Sequence, residues 1–185
     1  SYSVTGVQTC ALPIYEIETE TKEEYFFNVE NAGTALRFLT AYLSQKQGVF
    51  VLNCSEEMKR RPIADLVNAL KSIGANIKYL DREGYPPIKI VGENLLYNRI
   101  TVKASLSSQY ISALLMISAL QKNDVEIIYE DKPTSEPYID MTISIMEQFG
   151  VSIIKNEKGI IVKKDKLTYQ KTIFVESDWS ATAIW

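Results

Sequence analysis

The chain has 185 residues, 46% of them hydrophobic and 23% charged, with a formal net charge of −3. That length supports one domain with a real core, and the weakly acidic balance leaves no electrostatic footprint for nucleic acid. There is no histidine, which removes Ser-His-Asp triads, Cys-His pairs and the usual zinc sites, so any chemistry must use Lys, Arg, Asp, Glu, Ser, Tyr or backbone amides.

Residues 1–14 read as foreign: the run 4–14 resembles the translation of a sequencing-adapter oligonucleotide. They are set aside from the fold, Cys10 with them, and a native N-terminal part is expected to be missing. Residues 15–30 are acidic and alternating, with a short strand predicted over 25–29. Next comes Asn31-Ala32-Gly33-Thr34-Ala35-Leu36-Arg37, followed by Leu39 and Leu43 at helical spacing. The reading is a turn that opens a helix over 33–45, with Asn31 or Thr34 at its N-cap. A helix start presents unpaired N–H groups and partial positive charge, Gly33 admits a ligand close to them, and Arg37 adds a full charge one turn on. This outlines an anion site, although the heptapeptide by itself fits an ordinary capped helix better.

Gly48 marks a stop, and 49–52 reads as a buried strand. A basic turn, Met58-Lys59-Arg60-Arg61-Pro62, precedes Ile63, Leu66, Val67, Leu70 and Ile73 at helical spacing, with Pro62 expected at the first helical position and Gly74 as the end. Strands are predicted over 76–80, 88–91 and 99–103. The pattern then begins again. An almost wholly apolar, hence buried, helix runs over 105–120, then a strand over 124–129 and a helix from Pro137 to Gly150. A hairpin follows over 151–163, then a last strand over 172–176. Pro62 and Pro137, like Gly74 and Gly150, stand about 75 residues apart. The chain is therefore an internal repeat of βαβαββ-like units. Equivalent units carry equivalent helix starts to one side, which would gather Gly33, Arg61, Ser108 and Ser135.

Two cysteines make no disulfide framework, and they fit a reducing cytoplasm. No apolar run approaches the roughly 18 residues of a membrane span, and the start shows no basic region followed by an apolar block.

Five motifs occur in order: Asn31-Ala32-Gly33-Thr34-Ala35-Leu36-Arg37, Arg61-Pro62-Ile63-Ala64-Asp65-Leu66, Ser107-Ser108-Gln109-Tyr110, Ser135-Glu136-Pro137-Tyr138-Ile139-Asp140 and Glu176-Ser177-Asp178-Trp179-Ser180. Together they resemble the 3-phosphoshikimate 1-carboxyvinyltransferase (EPSP synthase) family, over residues 28–185. The resemblance implies an α/β protein of the inside-out barrel type, of which 15–175 would be most of the first domain and 176–185 the crossover into a second. It implies carboxyvinyl transfer from phosphoenolpyruvate to shikimate 3-phosphate, with phosphate released through a tetrahedral intermediate. No metal or organic cofactor is expected, and the full-length protein is expected to be a cytoplasmic monomer that binds neither nucleic acid nor membrane.

Carried over residue by residue, Gly33 (through its N–H), Arg61 and Gln109 would hold phosphoenolpyruvate. Ser107, Ser108, Gln109, Ser135 and Tyr138 would hold shikimate 3-phosphate. Asn31, Thr34 and Arg37 would shape the Gly33 turn. Taken singly, Ser107 and Ser108 also fit plain N-caps, Arg61 a solvated charge and Tyr138 a core position. Asp65 and Asp140 read as first-turn carboxylates that complement a helix dipole, Cys54 as a small buried residue, and Asp178 and Trp179 as hinge positions. Two departures stand out: the family's early Lys-Ser segment is replaced by the foreign stretch, and Phe38 follows Arg37 where many members carry Pro. The acid–base carboxylates are expected beyond Trp185, so no catalytic residue is assigned within the chain, and the fragment alone is expected to be inactive. The rival readings are a UDP-N-acetylglucosamine enolpyruvyl transferase, which the serine motifs argue against, and a non-catalytic anion-binding module of the same fold.

Overall fold

Short apolar runs that alternate with helical stripes fold here into two copies of one unit. The computed structural model describes residues 15–18 and 24–168. The first copy comprises β2 (Glu24–Asn28), α1 (Gly33–Ser44), β3 (Gly48–Asn53), a 3-10 turn (Met58–Arg60), α2 (Ala64–Ser72), β4 (Asn76–Tyr79) and β5 (Ile88–Gly92), preceded by β1 (Tyr15–Glu18). The second comprises β6 (Arg99–Val102), α3 (Ser108–Ser118), β7 (Val125–Tyr129), α4 (Glu136–Gln148), β8 (Ile153–Asn156) and β9 (Gly159–Val162).

The sheet orders are β1-β2-β3-β5-β4 and β6-β7-β9-β8. In each copy the first helix links a parallel pair, β2 with β3 and β6 with β7. The closing hairpin then pairs its second strand antiparallel to the middle strand, β5 to β3 and β9 to β7. The predicted βαβαββ repeat is thus present in both connectivity and pairing.

Alternate residues of β5 and β6 are buried, as when one sheet face carries helices and the other meets solvent. The helices stack on one another, α1 on α3 and α3 on α4, while α2 lies against α1, β4 and β6. Because α3 is enclosed by neighbours, it buries Tyr110, Ile111, Ala113, Leu114, Leu115 and Ile117 around most of its circumference, as its composition predicts. By contrast α4 buries only Ile139 and Met146.

Several boundaries differ from the sequence reading. The N-cap of α1 is Ala32, without a side-chain cap bond, and neither Asn31 nor Thr34 caps it. Asn31 is instead drawn off by Ser55, whose hydroxyl donates to its side-chain oxygen. Pro62 lies outside α2: Ile63, at φ −134°, is its non-helical N-cap, with its N–H donating to the Gly84 carbonyl at 2.9 Å, and the helix starts only at Ala64. The third helix begins at Ser108 and ends at Ser118, shorter than predicted at both ends. Asp65 is in the first turn of α2. Asp140 is past the first turn of α4, where Glu136 stands, and pairs with Lys155 at 2.6 Å. Strand β1 was not foreseen; it adds antiparallel to β2. The segment 1–14 read as foreign, the strand predicted over 172–176 and the motif with Asp178 and Trp179 lie outside the described residues.

Gly92 ends β5 directly beneath the last turn of α1. A Cβ there would come within 2.0 Å of the Lys46 carbonyl oxygen and 2.3 Å of that of Leu43. Both are backbone atoms that cannot swing aside. Gly92→Ala is therefore expected to lower stability by about 1–3 kcal/mol, the usual range for forced overpacking. Urea denaturation followed by circular dichroism checks it.

Candidate functional site

Parallel pairing decides where the helices begin. Strands β2 and β3 end at the same sheet edge, so α1 and the segment leading into α2 start from that edge, and β6 and β7 do the same for α3 and α4. A groove of about 950 Å³ runs across these starts. It is lined by Gly33, Thr34, Arg37, Arg61, Ser107, Ser108, Gln109, Ser135 and Tyr138, which is every sequence candidate except Asn31.

At the start of α1, the Gly33 N–H donates to the Asn31 carbonyl at 2.9 Å. An anion on that amide would have to displace this tight i to i−2 bond, whereas helix geometry leaves the next N–H groups, Thr34 and Ala35, without intrahelical partners. A Cβ at Gly33 would lie 2.6 Å from Arg37 Nη1 and 3.0 Å from Met58 Cε, the ends of two flexible side chains that would have to shift to admit it. Arg37 folds back so that Nη1 donates to the Gly33 carbonyl at 2.8 Å. It is 8% exposed, and its Nε has no hydrogen-bond partner among the described residues. No Asp or Glu oxygen among them lies within 4.0 Å of it. A buried guanidinium without a counter-charge is costly, and a bound anion would offset that cost.

Arg61 follows the 3-10 turn in extended backbone, its side chain exposed and only loosely paired with Glu57 at 3.9 Å. Such a pair contributes little, so the fork is available to a ligand. Ser107 is the N-cap of α3 and accepts from the Gln109 N–H at 3.3 Å. Gln109 Nε2 donates to Thr34 Oγ1 at 3.0 Å, tying the starts of α3 and α1 together. Ser135 holds φ 55° and ψ 44°, a left-handed conformation unusual for serine, and makes no side-chain cap bond. Strain of that kind is held by its surroundings and collects at binding sites. Tyr138 stands exposed on the wall of the groove and is not a core residue.

Both copies stitch their two βα loops together. In the first, Ser55 bonds Asn31 through its hydroxyl and the Glu30 carbonyl through its N–H at 3.2 Å. This is the part Asn31 plays, although it does not line the groove. In the second, Asp131 accepts from the Ala104 N–H at 2.6 Å, from the Ser105 N–H at 2.9 Å and from the Ser105 hydroxyl. Thr134 Oγ1 adds a bond to the Ser105 carbonyl at 3.0 Å. The Ser107–Ser108 turn and Ser135 are thereby held in register. The Ser105 hydroxyl above all, then the two backbone donors, hold the Asp131 carboxyl below the usual carboxylate range.

Sequence reasoning missed Asp131 and Thr134, which have no local signature, and the hydroxyl contact of Ser112 with Thr142 at 2.7 Å that joins α3 to α4 in the groove. It also missed the apolar half of the groove, where Met116, Leu120, Met141, Ile145 and Phe149 lie beyond the polar end. Among the described residues no group of three or more His, Cys, Asp or Glu is placed to hold a metal ion, and no helix is long and apolar enough to cross a membrane.

The EPSP synthase (3-phosphoshikimate 1-carboxyvinyltransferase) family model matches residues 5–185. This chain belongs to the EPSP synthase family. It is 43% identical over 171 residues to the 3-phosphoshikimate 1-carboxyvinyltransferase of Bacteroides fragilis, covering 91% of this chain and 41% of that protein. To the enzyme of the same name from Shewanella baltica it is 40% identical over 169 residues, covering 90% and 39%. The chain thus spans about two-fifths of the length of the curated relatives it matches. An EPSP synthase structure from Acinetobacter baumannii superimposes with a TM-score of 0.64 at 23% identity, over 76% of this chain and 31% of that one, which supports the fold.

Asp131 provides a test of the loop stitching. A carboxylate held low in the folded chain adds stability above its ordinary titration range, and that stability is lost as pH falls through the folded value. Asp131→Asn keeps an acceptor but cannot titrate. Between roughly pH 5 and pH 2 the urea midpoint of the unaltered chain is expected to fall more steeply than that of the variant.

Proposed function

We propose that the protein to which this chain belongs transfers the carboxyvinyl group of phosphoenolpyruvate to shikimate 3-phosphate, and that the groove described above is one wall of that site. The observation that carries the reading is Arg37: a buried guanidinium with its Nε unpaired and, among the described residues, no carboxylate within 4.0 Å, where helix starts from both copies meet. Both substrates are multiply anionic, and helix N-termini with arginine forks suit phosphate and carboxylate.

In this reading Arg61, Gln109 and the amides of the Gly33 turn face phosphoenolpyruvate. Ser107, Ser108, Gln109 and Ser135 take the phosphate of shikimate 3-phosphate, and Tyr138 packs on its ring. Asn31, Thr34 and Arg37 hold the turn. A substrate hydroxyl adds to C2 of phosphoenolpyruvate while the methylene carbon gains a proton, giving a tetrahedral phosphate ketal. Loss of phosphate and of one methyl proton then leaves the enol ether. The groups named here bind and orient. The protein acts in the cytoplasm as a monomer, which suits soluble substrates and the free, buried Cys54.

Calorimetric titration of the chain with shikimate 3-phosphate tests the reading. Binding is expected, and it is expected to disappear in a Ser107→Ala, Ser108→Ala, Ser135→Ala triple variant that melts cooperatively. Failure of the folded, unaltered chain to bind would overturn the assignment of this wall. The groove is open along its length, so water has free access to anything held there. The chain alone is accordingly expected to release no phosphate from the two substrates together, as a phosphate-release assay would read.

A further inference from the structure

Tyr110 follows Gln109 on α3 and does not line the groove. It is among the largest fully buried side chains, at 2% exposure. Its ring lies beneath the Arg37 guanidinium, 5.8 Å from carbon to ring centroid, within cation–π range. Its hydroxyl crosses from the second copy to the first and donates to the Pro62 carbonyl at 2.8 Å.

That bond has a specific mechanical consequence. Proline fixes its own φ, so the direction of the Pro62 carbonyl is set by ψ alone. A donor on that oxygen fixes the remaining torsion. The Arg61 N–H is bound to the Met58 carbonyl at 3.0 Å, and the Ile63 N–H to the Gly84 carbonyl at 2.9 Å. With Tyr110 the backbone around Arg61 is tied from three directions, while its side chain remains exposed. Two of these ties lie within the first copy. Only the Tyr110 bond refers Arg61 to α3, the helix that begins with Ser108 and Gln109. Burial pushes the Tyr110 hydroxyl up from its ordinary value, against a smaller downward pull from Arg37, so it remains a donor at neutral pH.

We propose that the Tyr110 hydroxyl is a positioning group that sets Arg61 relative to the Ser107–Gln109 turn, and with it the spacing between the two substrate sites. The proposal rests on the function proposed above. Tyr110→Phe keeps the ring, its packing and its stacking under Arg37 but removes, with the Pro62 bond, the hydroxyl's own interaction with Arg37; an Arg61→Ala background separates the two.

The test uses the 185-residue chain and two titrations: shikimate 3-phosphate alone, then phosphoenolpyruvate into the chain saturated with it. Tyr110→Phe is expected to weaken phosphoenolpyruvate about fivefold, the scale of one hydrogen bond, and to leave shikimate 3-phosphate unchanged. In an Arg61→Ala background the same substitution is expected to have no further effect, because its influence passes through Arg61. A purely structural hydroxyl would weaken both ligands together, or act equally with and without Arg61. Either result overturns the proposal, as does unaltered phosphoenolpyruvate binding by the variant. An unaltered chain that binds neither ligand overturns the substrate reading and this proposal with it. One that binds both, with the variant indistinguishable from it, overturns this proposal alone.

Discussion

Parallel pairing of β2 with β3, and of β6 with β7, is the constraint on which the rest of this structure depends. A parallel pair needs a crossover helix, and the strand that follows must end at the same edge as the first. Each copy therefore delivers two helix starts, or the segment leading to one, to a single edge. Packing α1 on α3 brings the two edges together. The groove with its nine candidate residues is a consequence of topology before it is a matter of any one residue.

What topology brings near, hydrogen bonds make exact enough to bind. Ser55 joins the loops of the first copy, and Asp131 with Thr134 joins those of the second. Gln109 and Tyr110, adjacent on α3, then reach back to Thr34 and Pro62 of the first copy. These bonds share a logic: each ties one loop or helix start to another and so fixes the place of groups that face the groove. Arg37 is different: among the described residues it is buried with its Nε unpaired, as is the Tyr129 hydroxyl away from the groove. Of the two, Arg37 is the charged one and lines the groove, where an anionic ligand would offset its burial.

The two copies are alike in connectivity and unlike in what they bury. Helix α3 is enclosed by α1, α4 and β7, and its serines and apolar residues alike are withdrawn from solvent. Helix α4 has α3 on one side only and leaves Met141 and Ile145 half exposed on the apolar stretch of the groove. The site thus has a polar end, built from helix starts and cross-loop bonds, and an apolar end built from helix flanks. The chemistry of the proposed substrates belongs to the first.

The sequence by itself determined the repeat, the order of elements and the identity of the groups at the helix starts. Those features are local: the spacing of Leu36, Leu39 and Leu43, the glycines that close helices, and the recurrence of the pattern from Arg99 onward are all written within a few turns of chain. Family resemblance then pointed to nine residues that share one groove and to Asn31 beside it. The tertiary structure alone decided which of these groups are free. Whether Asn31 caps α1 depends on Ser55, 24 residues away, and Pro62 is kept out of α2 by the non-helical backbone of Ile63, which is tied to Gly84. The ends of the Arg37 and Met58 side chains close around Gly33, and the Tyr110 hydroxyl bonds a proline carbonyl in the other copy. Local spacing encodes propensity, but a hydrogen bond between distant loops forms only once the sheets have placed both partners, and no local pattern records it.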